Sequence, residues 1–321
     1  MGLWASQTRT YFPSARLGRP IGGRPFLASQ QTGSTRPTYV STTWYATSTM
    51  HVPTEALTSA RAFGGQATVR ALLPAHIAAR AGTEPASHVA DTHPLAVHIP
   101  LWSAHVDRLV GATAELRRAF PEIWGDAHCT TASVLASDAV AMLWEHVQQL
   151  DSSASLRASL RVSRDGTTRA VVAPLPAVPA APPIVRIDTQ PTLLYADVVP
   201  LKTDARDAYD EARARVGATL GAPGSHACFD VLMWRVADGA RVLTESSIAN
   251  VVVECADGSL LTPAFAHLLP GVLLRELVRQ GLVRPATLRL DEVCAMVKDI
   301  HAPARLYLCN AVRGLFPVRL G

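Results

Sequence analysis

Apolar positions along the chain recur with two different periods, and they divide its second two thirds into amphipathic helices and short strands. Over residues 101–116 apolar side chains fall at helical spacing with Arg108 near the middle, and residues 133–149 repeat the pattern, so a helix is expected over each. Upstream, residues 58–72 read as a glycine turn leading into a strand. Residues 155–174 alternate as two strands around Asp165-Gly166, a dipeptide that accepts positive φ in a hairpin turn. The mostly apolar run 193–201 predicts another strand, and a helix-like stretch follows from Thr203 and ends at Gly217 or Gly221. Residues 228–234 predict a strand and Asp238-Gly239 a tight turn. A returning strand over 244–250 continues through Val251-Val252-Val253 to a turn at Asp257-Gly258, so two hairpins are expected in one sheet. After Leu269-Pro270-Gly271 the spacing over 272–279 is helical, and the first N–H groups of that helix are free to bind an anion.

Punctuation and composition set the expected domains. Pro174, Pro176, Pro179, Pro182 and Pro183 form a stiff, non-helical connection. The expectation is a small α/β domain over 55–178, a Pro-rich interdomain linker over 179–191 and a large domain over 192–321. Residues 1–54 contain no Asp, Glu or Lys and five arginines, which suits a disordered extension, a start placed too far upstream with Met50 as the true beginning, or a transit-like leader. They are set outside the fold, and the chain is assigned to the cytoplasm, or to a mitochondrion or plastid if that segment is a transit peptide. With 321 residues and 48% hydrophobic content the chain buries a sizeable core. Its net charge of +4 comes from arginines interleaved with acids, without aromatic and basic clustering, so no nucleic acid partner is expected. No apolar run is long enough to cross a bilayer, so no membrane partner is expected either. Five cysteines stand far apart without metal-ligand spacing, which points to buried thiols in a reducing compartment and to no metal.

Only two of the 30 basic residues are lysines, Lys202 and Lys298. Arginine serves solvated surfaces equally well, but its guanidinium stays protonated, whereas burial can bring a lysine amine into nucleophilic range. By position alone Lys202 is either such an amine or a surface residue. Glu245 stands 43 residues farther on at a strand end, and the amides of Val272 and Leu273 open the helix over 272–279. Arg108 adds a cation from the small domain. An amine for an aldehyde, a carboxylate for a ring nitrogen and a clamp for a phosphate are what pyridoxal 5'-phosphate requires of a protein. His105 reads as a structural hydrogen-bonder. For a substrate carboxylate the candidates are Arg313 and the backbone at Asn310 and Ala311, with Arg157 or Arg161 from the small-domain hairpin.

At these residues the chain resembles the class IV family of pyridoxal-phosphate enzymes, which contains branched-chain and D-amino-acid aminotransferases and aminodeoxychorismate lyase. The resemblance is carried by residues 245–251 (Glu-Ser-Ser-Ile-Ala-Asn-Val), Leu261-Thr262-Pro263 and Leu269-Pro270-Gly271-Val272-Leu273. Lys202-Thr203 with Arg206, Tyr209 and Ala212, the run 229–234, and residues 306–318 are similar to the lyase branch in particular. Thr68-Val69-Arg70 and residues 105–109 are shorter matches. Ala67, Ala205 and Leu274 depart from the family pattern. The resemblance implies an α/β (α+β) fold of type IV, with a small α/β domain, a larger pseudo-barrel domain and pyridoxal 5'-phosphate between them in a homodimer. It implies an enzyme acting on a small amino substrate: a lyase converting 4-amino-4-deoxychorismate to 4-aminobenzoate and pyruvate, with Lys202 as the catalytic residue. Two alternatives stay open, a class IV aminotransferase acting on D- or branched-chain amino acids and a degenerate cofactor-binding protein without turnover.

Overall fold

Alternation at a period of two shapes the smaller of two sheets. The computed structural model describes residues 39–47, 72–80, 93–125, 128–150, 155–175, 181–192, 201–219, 227–301 and 303–321, all within one compact unit, Thr35–Gly321. Strands β1 (Tyr39–Thr47), β2 (Ser155–Ser163) and β3 (Thr168–Pro174) pair antiparallel in that order, and Gly166 makes the β2–β3 turn at φ 81°. In β2, Ala158, Leu160 and Val162 turn into a core shared with helices α1 (Trp102–Ala119) and α2 (Asp138–Gln148). The alternate residues Arg157, Ser159 and Arg161 therefore stand on the other face. That face carries part of the site.

The larger sheet has eight strands: β4 (Ile184–Ile187), β5 (Cys228–Ala237), β6 (Ala240–Ser246), β7 (Asn250–Glu254), β8 (Leu260–Pro263), β9 (Arg284–Ala286), β10 (Arg305–Asn310) and β11 (Gly314–Leu320). Their order is β6-β5-β4-β11-β10-β7-β8-β9. The sheet curls until its two ends meet, because the Leu243 N–H of β6 donates to the Leu288 carbonyl just beyond β9 at 2.9 Å. The result is the curled, barrel-like sheet expected of the fold. Three helices cover it: α3 (Asp207–Val216), α4 (Val272–Arg279) and α5 (Leu290–Lys298). Ala212 and Val216 of α3 pack on Cys228, Val231 and Met233 of β5, while Leu273, Leu274 and Leu277 of α4 pack on Val252, Tyr307 and Leu315. Leu274, where the family pattern has a cation, is thus fully buried in the core.

Several sequence expectations change in detail. Residues 39–47, set outside the fold with the acid-free leader, are strand β1, since their run of Val, Thr, Trp and Tyr suits a pleated strand whatever the surrounding charge. Residues 184–187, assigned to the linker, form β4 between β5 and β11, because Ile-Val-Arg-Ile is β-branched and Val185 is fully buried. The helix expected over 133–149 is broken after Leu135, where the Ser137 hydroxyl donates to the Val134 carbonyl at 2.7 Å and accepts from the Val140 amide to start α2. Helix α3 begins at Asp207 rather than at Thr203, whose hydroxyl instead accepts from the Ala205 amide at 3.3 Å. It ends at Gly217, in the left-handed region at φ 64°. The expected run from 244 through 253 is interrupted: Ser246 bonds Ala249 through both hydroxyl and backbone, so β6 and β7 separate to different parts of the sheet. The Asp238-Gly239 turn is as expected, with φ 50° and 72°. The strands expected over 58–72 and 193–201 lie outside the described residues except at their last positions.

Gly314 is the most constrained glycine near the site. It opens β11 at φ 73°, and an added Cβ would lie 2.3 Å from the Leu72 carbonyl oxygen, which accepts the Leu315 amide at 2.7 Å. Gly314→Ala is expected to cost about 2 kcal/mol or more, from left-handed strain and a backbone clash that no rotamer relieves. Urea denaturation measures it, and a midpoint equal to the parent's would contradict it.

Candidate active site

The interruption between β6 and β7 builds the centre of the site. Because Ser246-Ser247-Ile248-Ala249 folds into a turn, Glu245 and Asn250 face one another, and Asn250 Nδ2 lies 3.5 Å from Glu245 Oε2. Asn250 also donates to the Leu269 carbonyl at 2.7 Å and accepts from the Gly271 amide at 2.9 Å, so one side chain ties this turn to the segment leading into α4. A Cβ on Gly271 would sit 2.4 Å from Asn250 Oδ1, which explains a glycine there. Helix α4 then starts without a side-chain cap, and the amides of Val272 and Leu273 fall in its open first turn.

Glu245 is 3% exposed and its Oε1 accepts two hydrogen bonds, from the Tyr209 hydroxyl at 2.8 Å and the Leu269 amide at 3.1 Å. Arg206 lies over the Tyr209 ring at 4.8 Å and donates to the Ser247 carbonyl at 2.6 Å, which fixes helix α3 against the turn. Burial pushes the Glu245 carboxyl up to about 8, against the opposing pull of the Leu269 amide, Tyr209, Lys202 and Arg206.

Lys202 stands between Leu201, which packs against the core of the smaller sheet, and the buried Thr203. Burial and the neighbouring Arg108 and Arg206 cations bring its amine down to about 7, although Glu245 pulls the other way. Both shifts favour the uncharged forms. Arg108, on α1, is itself lowered to about 9 by burial and by Arg275, a concentration of positive charge suited to an anion. His105, one turn earlier on α1, is fully buried and held neutral by burial and by Arg108 and Lys202.

Lys202, Glu245, Tyr209, Arg108, Arg206 and Asn250 border one cavity of about 360 Å³, which His105 and Arg275 do not line. Of the residues singled out in the sequence, Lys202, Glu245, Arg108, Val272, Asn310, Ala311, Arg313, Arg157 and Arg161 line it. Leu273 does not; its side chain is in the core, and it reaches the site only through the backbone of α4. Arg206, Tyr209, Arg213 and Asn250 line the cavity as well. Sequence reasoning met Arg206, Tyr209 and Asn250 only as parts of motifs. The spacing of Glu245 and Asn250 on either side of Ser246-Ser247 was the signal that could have paired those two. Among the described residues no three His, Cys, Asp or Glu cluster as a metal site, and no helix is long and apolar enough to cross a membrane.

The low amine makes a direct prediction. A lysine lowered to about 7 is neutral from that pH upward instead of only above 10, so Lys202 should be modified by formaldehyde and borohydride with a rate that rises through pH 7 and then levels. With only two lysines in the chain, peptide mass spectrometry follows it separately from Lys298. A rate for Lys202 still rising steeply above pH 9 would contradict the environment described.

Comparisons with known proteins bear on this arrangement. The sequence profile of a family described as Amino-transferase class IV matches residues 95–320. A candidate amino-acid aminotransferase from Mesorhizobium loti has a similar structure, with 21% identity, a TM-score of 0.53, and coverage of 88% of this chain and 99% of that one. A candidate 4-amino-4-deoxychorismate lyase from Legionella pneumophila is similar at 12% identity and a TM-score of 0.50, covering 91% of this chain and 88% of the other. At these identities the likeness is one of fold. No curated protein matches the sequence.

Proposed function

The chain belongs to the amino-transferase class IV family of pyridoxal-phosphate enzymes, and from that premise we propose that it is a lyase converting 4-amino-4-deoxychorismate to 4-aminobenzoate and pyruvate. One observation carries this reading: among the described residues the cavity is lined by six arginines and Lys202 against a single acid, Glu245. Such a wall suits a substrate with carboxylates set away from its amine, as this one has, better than an amino acid with an apolar side chain. The similarity of residues 202–212 and 306–318 to the lyase branch points the same way.

The residues present fit the cofactor. Lys202 is a lowered amine, Glu245 a buried acid in place for a ring nitrogen, and Arg108 with the open amides of Val272 and Leu273 a clamp for a phosphate. Pyridoxal 5'-phosphate, when bound, supplies an aldehyde for the substrate amine and a ring that draws electrons from the carbon bearing it. Lys202, neutral near pH 7, is the base that takes the proton from that carbon. Glu245 exchanges a proton at the ring nitrogen and is kept in register by Tyr209 and the Leu269 amide. Arg313, Arg157 and Arg161 hold the substrate's carboxylates while the enolpyruvyl ether bond breaks and its ring aromatises. A homodimer is part of the same proposal.

Incubation of the purified protein with 4-amino-4-deoxychorismate tests it. Equal amounts of 4-aminobenzoate and pyruvate, formed without a keto-acid acceptor, support the lyase. Amino-group exchange that requires such an acceptor assigns the chain to the aminotransferases instead. Bound cofactor with neither reaction would mean an inert member of the family.

A further inference from the structure

The hairpin loop between β10 and β11 forms part of the cavity wall. Asn310, Ala311, Val312 and Arg313 all line the cavity, and Asn310 pairs with Gly314, which closes the loop at φ 73°. Three residues joining antiparallel strands, with a left-handed glycine at the end, make a common tight hairpin, and an asparagine at its first position can hold it through its side chain. Asn310 does this with one atom. Its Oδ1 accepts from the Val312 amide at 2.9 Å and from the Arg313 amide at 2.8 Å. Its Nδ2 donates to the Ile248 carbonyl at 3.4 Å, in the turn that follows Glu245. Both ends of the side chain are therefore engaged by protein groups, and the amides of Val312 and Arg313 are occupied with them.

The charged donor that this loop brings to the cavity is the Arg313 guanidinium. It stands over the ring of Phe229 in β5 at 5.5 Å, and that ring is met edge-on by Phe316 of β11 at 6.3 Å. Phe229 is buried, so packing fixes the seat. A cation held over an aromatic face keeps its N–H groups for other partners. Nε of Arg313 is buried and has no hydrogen-bond partner among the described residues. A buried donor in that state is costly until an acceptor meets it, and a carboxylate entering the cavity would be one.

We propose that Asn310 is a positioning residue for substrate recognition: by holding the 311–313 loop it sets the backbone from which the Arg313 guanidinium, seated on Phe229, receives a substrate carboxylate. Contact with the carboxylate belongs to Arg313, and the asparagine acts through it. A misplacement of about 1 Å in a binding group is enough to lose most of its effect, which is why the anchor of the loop matters. This role rests on the cavity being the substrate site of the proposed enzyme, and it adds the residue that determines where the carboxylate receptor stands.

Benzoate titrated calorimetrically into the holoenzyme reads carboxylate binding without any turnover. Asn310→Ala should weaken benzoate about tenfold and raise KM for the carboxylate-bearing substrate by a similar factor, with a smaller change in kcat and parental cofactor occupancy. Arg313→Gln should weaken benzoate at least as much. Added to Arg313→Gln, Asn310→Ala should cost nothing further, because the asparagine acts through that arginine. Losses that add in the double variant would mean that Asn310 touches the ligand itself or supports the fold at large, and they overturn the proposal. A joint fall in kcat and cofactor occupancy in Asn310→Ala overturns it as well. Parental benzoate binding in Arg313→Gln does the same, even if Asn310→Ala does not fold. If the lyase assay fails while benzoate binding responds as expected, the substrate assignment is wrong and the positioning role stands.

Discussion

Lys202→Ala should lower turnover at least about a thousandfold, the upper part of the range for removing a positioned base. The side chain borders a cavity and is not itself part of an apolar core, so the variant should keep its fold by circular dichroism and its thermal midpoint close to the parent's. Lys202→Arg separates the two properties of the residue. It preserves the positive charge beside Arg108 and Arg206 but cannot give up its proton near neutral pH, so it should be as inactive as the alanine variant. A Lys202→Arg protein with a tenth or more of the parent's activity would show that the residue supplies charge and not a base, and would remove it from the proposed chemistry.

Glu245→Gln should be nearly as damaging, with turnover down about a hundredfold or more. Glutamine keeps the volume and one acceptor oxygen, so the bonds from Tyr209 and the Leu269 amide can persist. It loses the exchangeable proton, and its amide group would face the donor Nδ2 of Asn250 3.5 Å away. The ordinary carboxylate value of about 4.5 is raised to about 8 in the folded chain, so around neutral pH the site holds a carboxylic acid that can still release its proton. Steady-state kinetics on the variant, with cofactor occupancy measured alongside, checks the expectation. Near-parental kcat in a fully loaded Glu245→Gln protein would mean that the carboxyl group has no part in the reaction.

The two residues that carry the largest effects illustrate what was legible in the chain. Lysine is scarce enough, and the spacing from Lys202 through Glu245 to Gly271 long enough, that the candidate amine, acid and anion-binding helix could be picked out by chemistry alone. The helices over 102–119 and 272–279, the Asp165-Gly166 hairpin and the Asp238-Gly239 turn were legible because local periodicity and turn chemistry determine them. What was not legible depended on partners distant in sequence. Strands β1 and β4 hide in a leader and beside a run of prolines, and their place is decided by β2 in one case and by β5 and β11 in the other. The break at residues 246–249 is invisible as a pattern, since Ser-Ser-Ile-Ala is as acceptable in a strand as in a turn. Once made, it brings Glu245 opposite Asn250 and ties the turn to the segment that begins α4.

By itself, then, the sequence determined which residue types are present, where one amine stands among many guanidiniums, and the local periods that form helices and hairpins, because these depend on neighbours a few positions away. The tertiary structure alone decided the electrostatics. Burial, and the convergence of Arg108 from α1, Arg206 and Tyr209 from the start of α3 and Glu245 from β6, set the protonation of Lys202 and Glu245. The strength of a charge depends on the dielectric and the charges around it in space, and no reading along the chain contains those distances.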